Sequence, residues 1–124
     1  MKTGRYDRHY EPMNERKRVV VCGEPGVGKT TWIEQQRKPG DLVYDMDAIA
    51  AVMFDCPKYP RPDHVMYAML SVRRWCVSQA NLMHCDVYMI VTDETEAGIV
   101  AKEIGGSLVR MRRKSLCEDG KPST

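Results

Sequence analysis

The residues with the clearest chemical meaning lie between positions 23 and 31. Gly23 and Gly28 flank a four-residue loop, Glu24, Pro25, Gly26 and Val27, and Lys29, Thr30 and Thr31 follow. This is the full spacing Gly23-x-x-x-x-Gly28-Lys29-Thr30 of a Walker A motif. Glycines let the backbone wrap around an anion, so that successive N–H groups point inward. The lysine ammonium reaches β- and γ-phosphates, and the first threonine hydroxyl is a ligand for Mg²⁺. Gly23 through Thr31 are therefore the expected nucleotide-binding positions. ATP or GTP is the expected ligand, with Mg²⁺ as its counter-ion.

A phosphate loop alone does not separate kinase, ATPase and switch; metal ligands and a base do. Asp45 and Asp47, in Tyr44-Asp45-Met46-Asp47, stand two apart, which in an extended chain puts both carboxylates on one side. Ile90-Val91-Thr92-Asp93-Glu94 is an apolar run ending in an acid pair, the pattern of a Walker B strand. Thr30, Asp45 and Asp93 are the candidate metal ligands; Lys29 and Asp47 are the candidate catalytic residues. The structural alternative is that Asp47 caps a helix and Asp93-Glu94 begins one.

These groups need elements to hold them. Arg18 to Cys22 is apolar and β-branched, as in a buried strand. Lys29 to Arg37 has no proline or glycine and reads as a helix, stopped by Lys38-Pro39-Gly40. Asp41 to Asp45 reads as a second strand and Asp47 to Phe54 as a short helix. Cys56 to Pro62 holds three prolines and reads as loop. Val65, Met69, Val72, Cys76, Ala80 and Met83 form one apolar stripe of a long helix, with Arg73 and Arg74 on a solvated edge. Asp86 to Thr92 reads as a third strand, Glu94 to Ile104 as a helix ended by Gly105-Gly106, and Ser107 to Met111 as a fourth strand. Strands alternating with helices predict an α/β fold: a three-layer, P-loop NTPase-like domain with a parallel sheet of about four strands. Its ligand belongs at the carboxyl ends of the strands.

A chain of 124 residues supports one domain. We divide it into a basic arm over residues 1–17, a nucleotide-binding domain over 18–111 and a basic polar tail over 112–124. Residues 1–18 carry six basic and three acidic side chains, and residues 110–124 five and two, while the whole chain is +2. The ends are thus basic and the middle acidic. Basic ends suit a nucleic acid or a phosphorylated substrate, or serve only as solvated tails. Arg110 and Arg112 fall on one side of an extended chain at the ligand edge. From there they reach a γ-phosphate or an acceptor's phosphate, or else belong to a tail that aids solubility. No apolar run is long enough to span a membrane, and the first residues lack the apolar core of a secretory signal. Five scattered cysteines without a CxxC pair point to reduced thiols and a cytoplasmic setting.

The combination G-x-P-G-x-G-K-T-T-W, P-G-D-x-x-Y-D-x-D and a strand ending in T-D resembles small P-loop kinases of the 5′-polynucleotide kinase and zeta-toxin type. It is most similar to the short phage and prophage ATP-binding proteins with such a core, over about residues 18 to 111. The resemblance implies a phosphotransferase in which Asp47 acts as general base on an acceptor hydroxyl. It implies that Asp93 follows the strand beside the phosphate loop, and it implies a host-cell cytoplasm. Such kinases carry an arginine shortly after the catalytic aspartate, and Ala48 to Phe54 contain none. They also carry lid arginines, for which Arg110, Arg112, Arg113 and Lys114 are the candidates here. A protein partner or a second copy of the chain would otherwise complete the lid. The acceptor belongs to a nucleic acid end, a nucleoside or a small metabolite. The rival readings are a nucleotide-binding module without its own chemistry and a nucleic-acid-coupled ATPase in which Glu94 orients the attacking water.

Overall fold

The computed structural model describes residues 16–112. Nearly all of the arm and the tail, including Arg113 and Lys114, lies outside the described residues. In chain order the elements are β1 (Arg18–Gly23), α1 (Lys29–Gln36), β2 (Leu42–Tyr44), α2 (Met46–Phe54), α3 (Asp63–Gln79), β3 (Val87–Ile90), α4 (Glu94–Glu103) and β4 (Ser107–Met111). The four strands form one sheet in the order β2-β3-β1-β4, and every pairing is parallel. This is the expected α/β alternation, with β3 directly beside β1.

Strand alternation divides the core in two. Val20 and Cys22 face one side with Met89, Val91, and the buried residues Cys76 and Ala80 at the end of α3 and Ala97 and Val100 of α4. Val19 and Val21 face the other side with Tyr88 and with Ile33 of α1. Trp32 meets Tyr88 there edge-on, with ring centroids 6.5 Å apart. A smaller cluster, Ala50, Val65 and Met69, joins α2 to α3. Tyr44 is buried and its hydroxyl donates to Met69 O at 2.8 Å, fixing α3 against the end of β2. Close strand packing explains Gly106: a Cβ there would lie 2.2 Å from Arg18 O.

Most boundaries shift by a residue or two from expectation, and the end of α3 by more. Asp41 and Asp86, assigned to strand starts, are buried anchors just before β2 and β3. Asp86 accepts from Lys17 N and Lys38 Nζ, both at 2.9 Å, and its own N–H donates to Asp41 Oδ1 at 3.1 Å. The α3 stripe was expected to run to Met83, but the helix ends at Gln79. Leu82 N and Met83 N both bond to Gln79 O as the chain turns toward β3. Among the described residues, no helix is long and apolar enough to cross a membrane.

Candidate functional site

In a parallel sheet all carboxyl ends share one edge, and the loops leaving β1, β2 and β3 meet there. They border a cleft of about 1070 Å³, lined by Gly26, Gly28 and Lys29 of the first loop, by Asp45 and Asp47 after β2, and by Thr92 and Asp93 after β3.

The first loop leaves β1 through Gly23, at φ +153°, where a Cβ would lie 2.5 Å from Met111 O of β4. The first glycine of the motif is thus required by the neighbouring strand, whatever the loop binds. Gly28 precedes α1 at φ +94°, a left-handed conformation that side chains resist. α1 has no side-chain cap and no acidic residue in its first turn, in contrast to α2 and α4, so its first N–H groups remain available to an anion. Lys29 Nζ folds over the loop and donates to Gly23 O at 2.6 Å and Glu24 O at 2.9 Å. A phosphate oxygen could take over these bonds.

Thr30 Oγ1 donates to Asp45 Oδ2 at 3.2 Å. Asp45 is the N-cap of α2: its Oδ1 accepts from Asp47 N at 3.1 Å and Ala48 N at 3.4 Å. The capping role considered for Asp47 therefore falls to Asp45, because α2 starts one residue earlier than expected. Asp47 instead sits in the first turn, 68% exposed, where Arg61 Nη2 donates to its Oδ1 at 2.7 Å. Asp93 caps α4, with Oδ2 accepting from Glu96 N at 2.9 Å. Thr30, Asp45 and Asp93 thus border one cleft, and Thr30 and Asp45 touch.

Arg110 does not line that cleft. It forms an ion pair with Glu94, at the first residue of α4. Arg112 is exposed and does not line the cleft either. Glu94, the candidate for orienting a water, is likewise committed to Arg110. Burial, then the Glu94 carboxylate, push the nearby Cys22 thiol up despite Arg110 and Lys29, which keeps it protonated.

Sequence reasoning missed two arginines. Arg73, assigned to a solvated edge, lines the cleft and pairs with Glu96 Oε1 at 2.7 Å, with only 20% of its side chain exposed. Its place is set by α4 packing beside α3, which the periodicity of α3 alone does not reveal. Arg61 is buried in the loop before α3, reaching Asp47 from 14 positions away. The signal in the sequence was three prolines around a lysine, a tyrosine and an arginine, a loop stiff enough to hold a buried charge.

The cleft is bordered by four carboxylates, Asp45, Asp47, Asp93 and Glu96, and three cations, Lys29, Lys58 and Arg73. Excess negative charge suits a phosphate ligand only if a cation comes with it. Among the described residues no three His, Cys, Asp or Glu side chains form a metal cage. Mg²⁺ shared with phosphate oxygens needs few protein ligands and keeps its own waters, so a hydroxyl and a carboxylate fit it. No family's sequence pattern matches the chain, and no curated protein matches it.

Proposed function

We propose that this protein is a P-loop, Mg²⁺-dependent phosphotransferase that uses ATP or GTP to phosphorylate a hydroxyl group. The observation that carries the reading is the meeting of Lys29, Thr30, Asp45, Asp47 and Asp93 around one cleft at the carboxyl ends of parallel strands. The order β2-β3-β1-β4 supports it, since Asp93 then follows the strand beside the phosphate loop.

In this reading the Gly23–Thr31 loop and Lys29 would hold the phosphates, and Thr30, Asp45 and Asp93 would be the ligands for Mg²⁺. The bound metal would neutralise charge that develops on the transferred group. The acceptor oxygen bonds to the γ-phosphorus, the bond to the β–γ bridging oxygen breaks, and the hydroxyl proton passes to Asp47. Arg61 orients Asp47 through Oδ1, from a different stretch of chain than the one where an arginine was sought. Arg73, a cation bordering the cleft, would meet the moving phosphoryl group by exchanging Glu96 for it. That exchange brings an arginine to the site without the tail.

The test is transfer of labelled γ-phosphate from ATP·Mg²⁺ to a panel of nucleosides, 5′-hydroxyl oligonucleotides and small polyols, with Lys29→Ala as control. Labelled acceptor formed by the wild type alone supports the reading. Release of inorganic phosphate without labelled acceptor, stimulated by DNA or RNA, would favour the ATPase. Binding of ATP with neither outcome would favour a non-catalytic module.

A further inference from the structure

The loop between α2 and α3 closes around Arg61. Its Nε donates to Cys56 O at 2.9 Å, and Nη2 donates to Pro57 O and Asp47 Oδ1, both at 2.7 Å. Nη1 is buried without a hydrogen-bond partner among the described residues. Over this guanidinium lies the Tyr59 ring, with Arg61 Cζ 4.2 Å from its centroid. The Tyr59 hydroxyl donates to Met46 Sδ at 3.3 Å. Tyr59 is therefore held at one face and at its tip, yet it is 63% exposed and borders the cleft.

Core packing does not account for such a ring. A tyrosine backed by a cation, pinned by its hydroxyl and open on its other side has lost its rotamer freedom before any ligand arrives, which favours binding of a second flat ring. Met66 and Leu70 of α3 supply apolar surface on the same cleft, and Lys58 supplies a neighbouring charge. The platform stands on the Asp47 side, because Arg61 beneath the ring also holds the Asp47 carboxylate. A ring stacked there belongs to the acceptor; the donor's phosphates would lie at Lys29.

Resting on the phosphotransferase reading, we infer that Tyr59 is a stacking platform for a nucleobase of the acceptor. The acceptor is then a nucleoside, or the terminal nucleotide of a nucleic acid, and not a metabolite without an aromatic ring.

The probes are thymidine, a short oligodeoxythymidylate with a 5′-hydroxyl, and the same strand with an abasic 5′-terminal residue. Binding is measured by calorimetry without ATP. Base–aromatic stacking predicts that the wild type and Tyr59→Phe prefer the base-bearing strand roughly 5- to 150-fold. Tyr59→Ala should erase that preference and leave ATP affinity unchanged. Tyr59→Leu, which keeps bulk over Arg61, takes its place if the alanine variant unfolds. Tyr59-dependent binding of thymidine means that a free nucleoside suffices, whereas such binding of the strand alone identifies a nucleic acid end; either supports the platform. Equal wild-type affinity for base-bearing and abasic strands overturns it. So does an unchanged preference in the variant, or a loss of ATP affinity, which would assign the ring to the donor base. Labelled transfer is measured separately. Failure of transfer to every acceptor with the preference intact removes the phosphotransferase alone. Undiminished transfer to acceptors without a base removes the platform alone.

Discussion

Thr30 Oγ1 donates to Asp45 Oδ2 at 3.2 Å, joining the first turn of α1 to the residue that follows β2 and caps α2. Both Asp45 oxygens are in use, one on the cap and one on the threonine. A metal between Thr30 and Asp45 must replace their hydrogen bond, whereas the cap can stay. Metal binding and helix capping are therefore separable by substitution.

Asp45→Asn keeps a capping oxygen and removes the charge. It should leave thermal stability nearly unchanged and raise the Mg²⁺ concentration needed for tight ATP binding. Asp45→Ala should in addition lose about 1 kcal/mol of stability with the cap. Asp93→Asn, also able to cap, should shift the Mg²⁺ dependence in the same direction. Paired thermal melts and Mg²⁺ titrations of ATP binding check all three; an unshifted Mg²⁺ requirement in both asparagine variants would remove these carboxylates from the metal site.

Lys29→Ala should weaken ATP binding roughly 10- to 150-fold, the value of about 1.5–3 kcal/mol for a hydrogen bond to a charged group. Stability should change little, since the lysine's protein partners are loop carbonyls at the cleft. Calorimetry on both proteins decides this, and equal affinities would end the phosphate-loop assignment.

Asp47→Asn keeps an oxygen for Arg61 and removes the proton acceptor. Phosphoryl transfer should fall by about 100-fold or more, as for loss of a general base, with ATP·Mg²⁺ affinity preserved. Arg61→Met should instead cost about 1–3 kcal/mol of stability, because the carbonyls of Cys56 and Pro57 lose their donor. Denaturant unfolding and turnover, measured together, separate the two roles. Full turnover in Asp47→Asn would place the base elsewhere.

Arg73→Ala should lower turnover at least about 100-fold, in keeping with loss of a cation at the transferring phosphate. Arg110→Ala should leave turnover within a few-fold and cost at most about 1 kcal/mol, since its partnership with Glu94 is solvent-exposed. The reverse order of effects in a side-by-side kinetic comparison would return the phosphate contact to Arg110.

Asp86 gives the fold a pH dependence at the edge opposite the cleft. Burial alone would raise its pKa, but the Lys38 ammonium and the Lys17 N–H outweigh burial and hold the carboxyl below its ordinary value. A depressed folded-state pKa contributes stability that is full above the unfolded value of about 3.9 and is lost as pH falls through the folded value. Unfolding free energy should therefore decline below about pH 4, and Asp86→Asn should flatten that decline in urea melts taken across the range.

Much of this molecule follows from short-range sequence. β4 has the bounds its composition suggests, Ser107–Met111, and the other elements fall within a residue or two, apart from the far end of α3. The reason is that strand burial, helix punctuation and the phosphate-loop spacing all act over a few residues. The carboxylates after β2 and β3 were legible on the same ground, since an acid following an apolar strand marks an edge whichever way the sheet is ordered.

The sheet order and the partners of each charge were decided only by the tertiary structure. Arg73 looked like a surface residue until α4 brought Glu96 against it. Arg110 was open to a phosphate contact or to a solubilising tail, and the same helix brings Glu94 to it. Arg61 reaches Asp47 because a loop that reads only as irregular folds around a buried guanidinium. Periodicity specifies which face of an element is apolar. It does not specify which charges meet across the gap, because that depends on how whole elements pack, and the pairs of Arg61, Arg73 and Arg110 each join groups from separate stretches of chain.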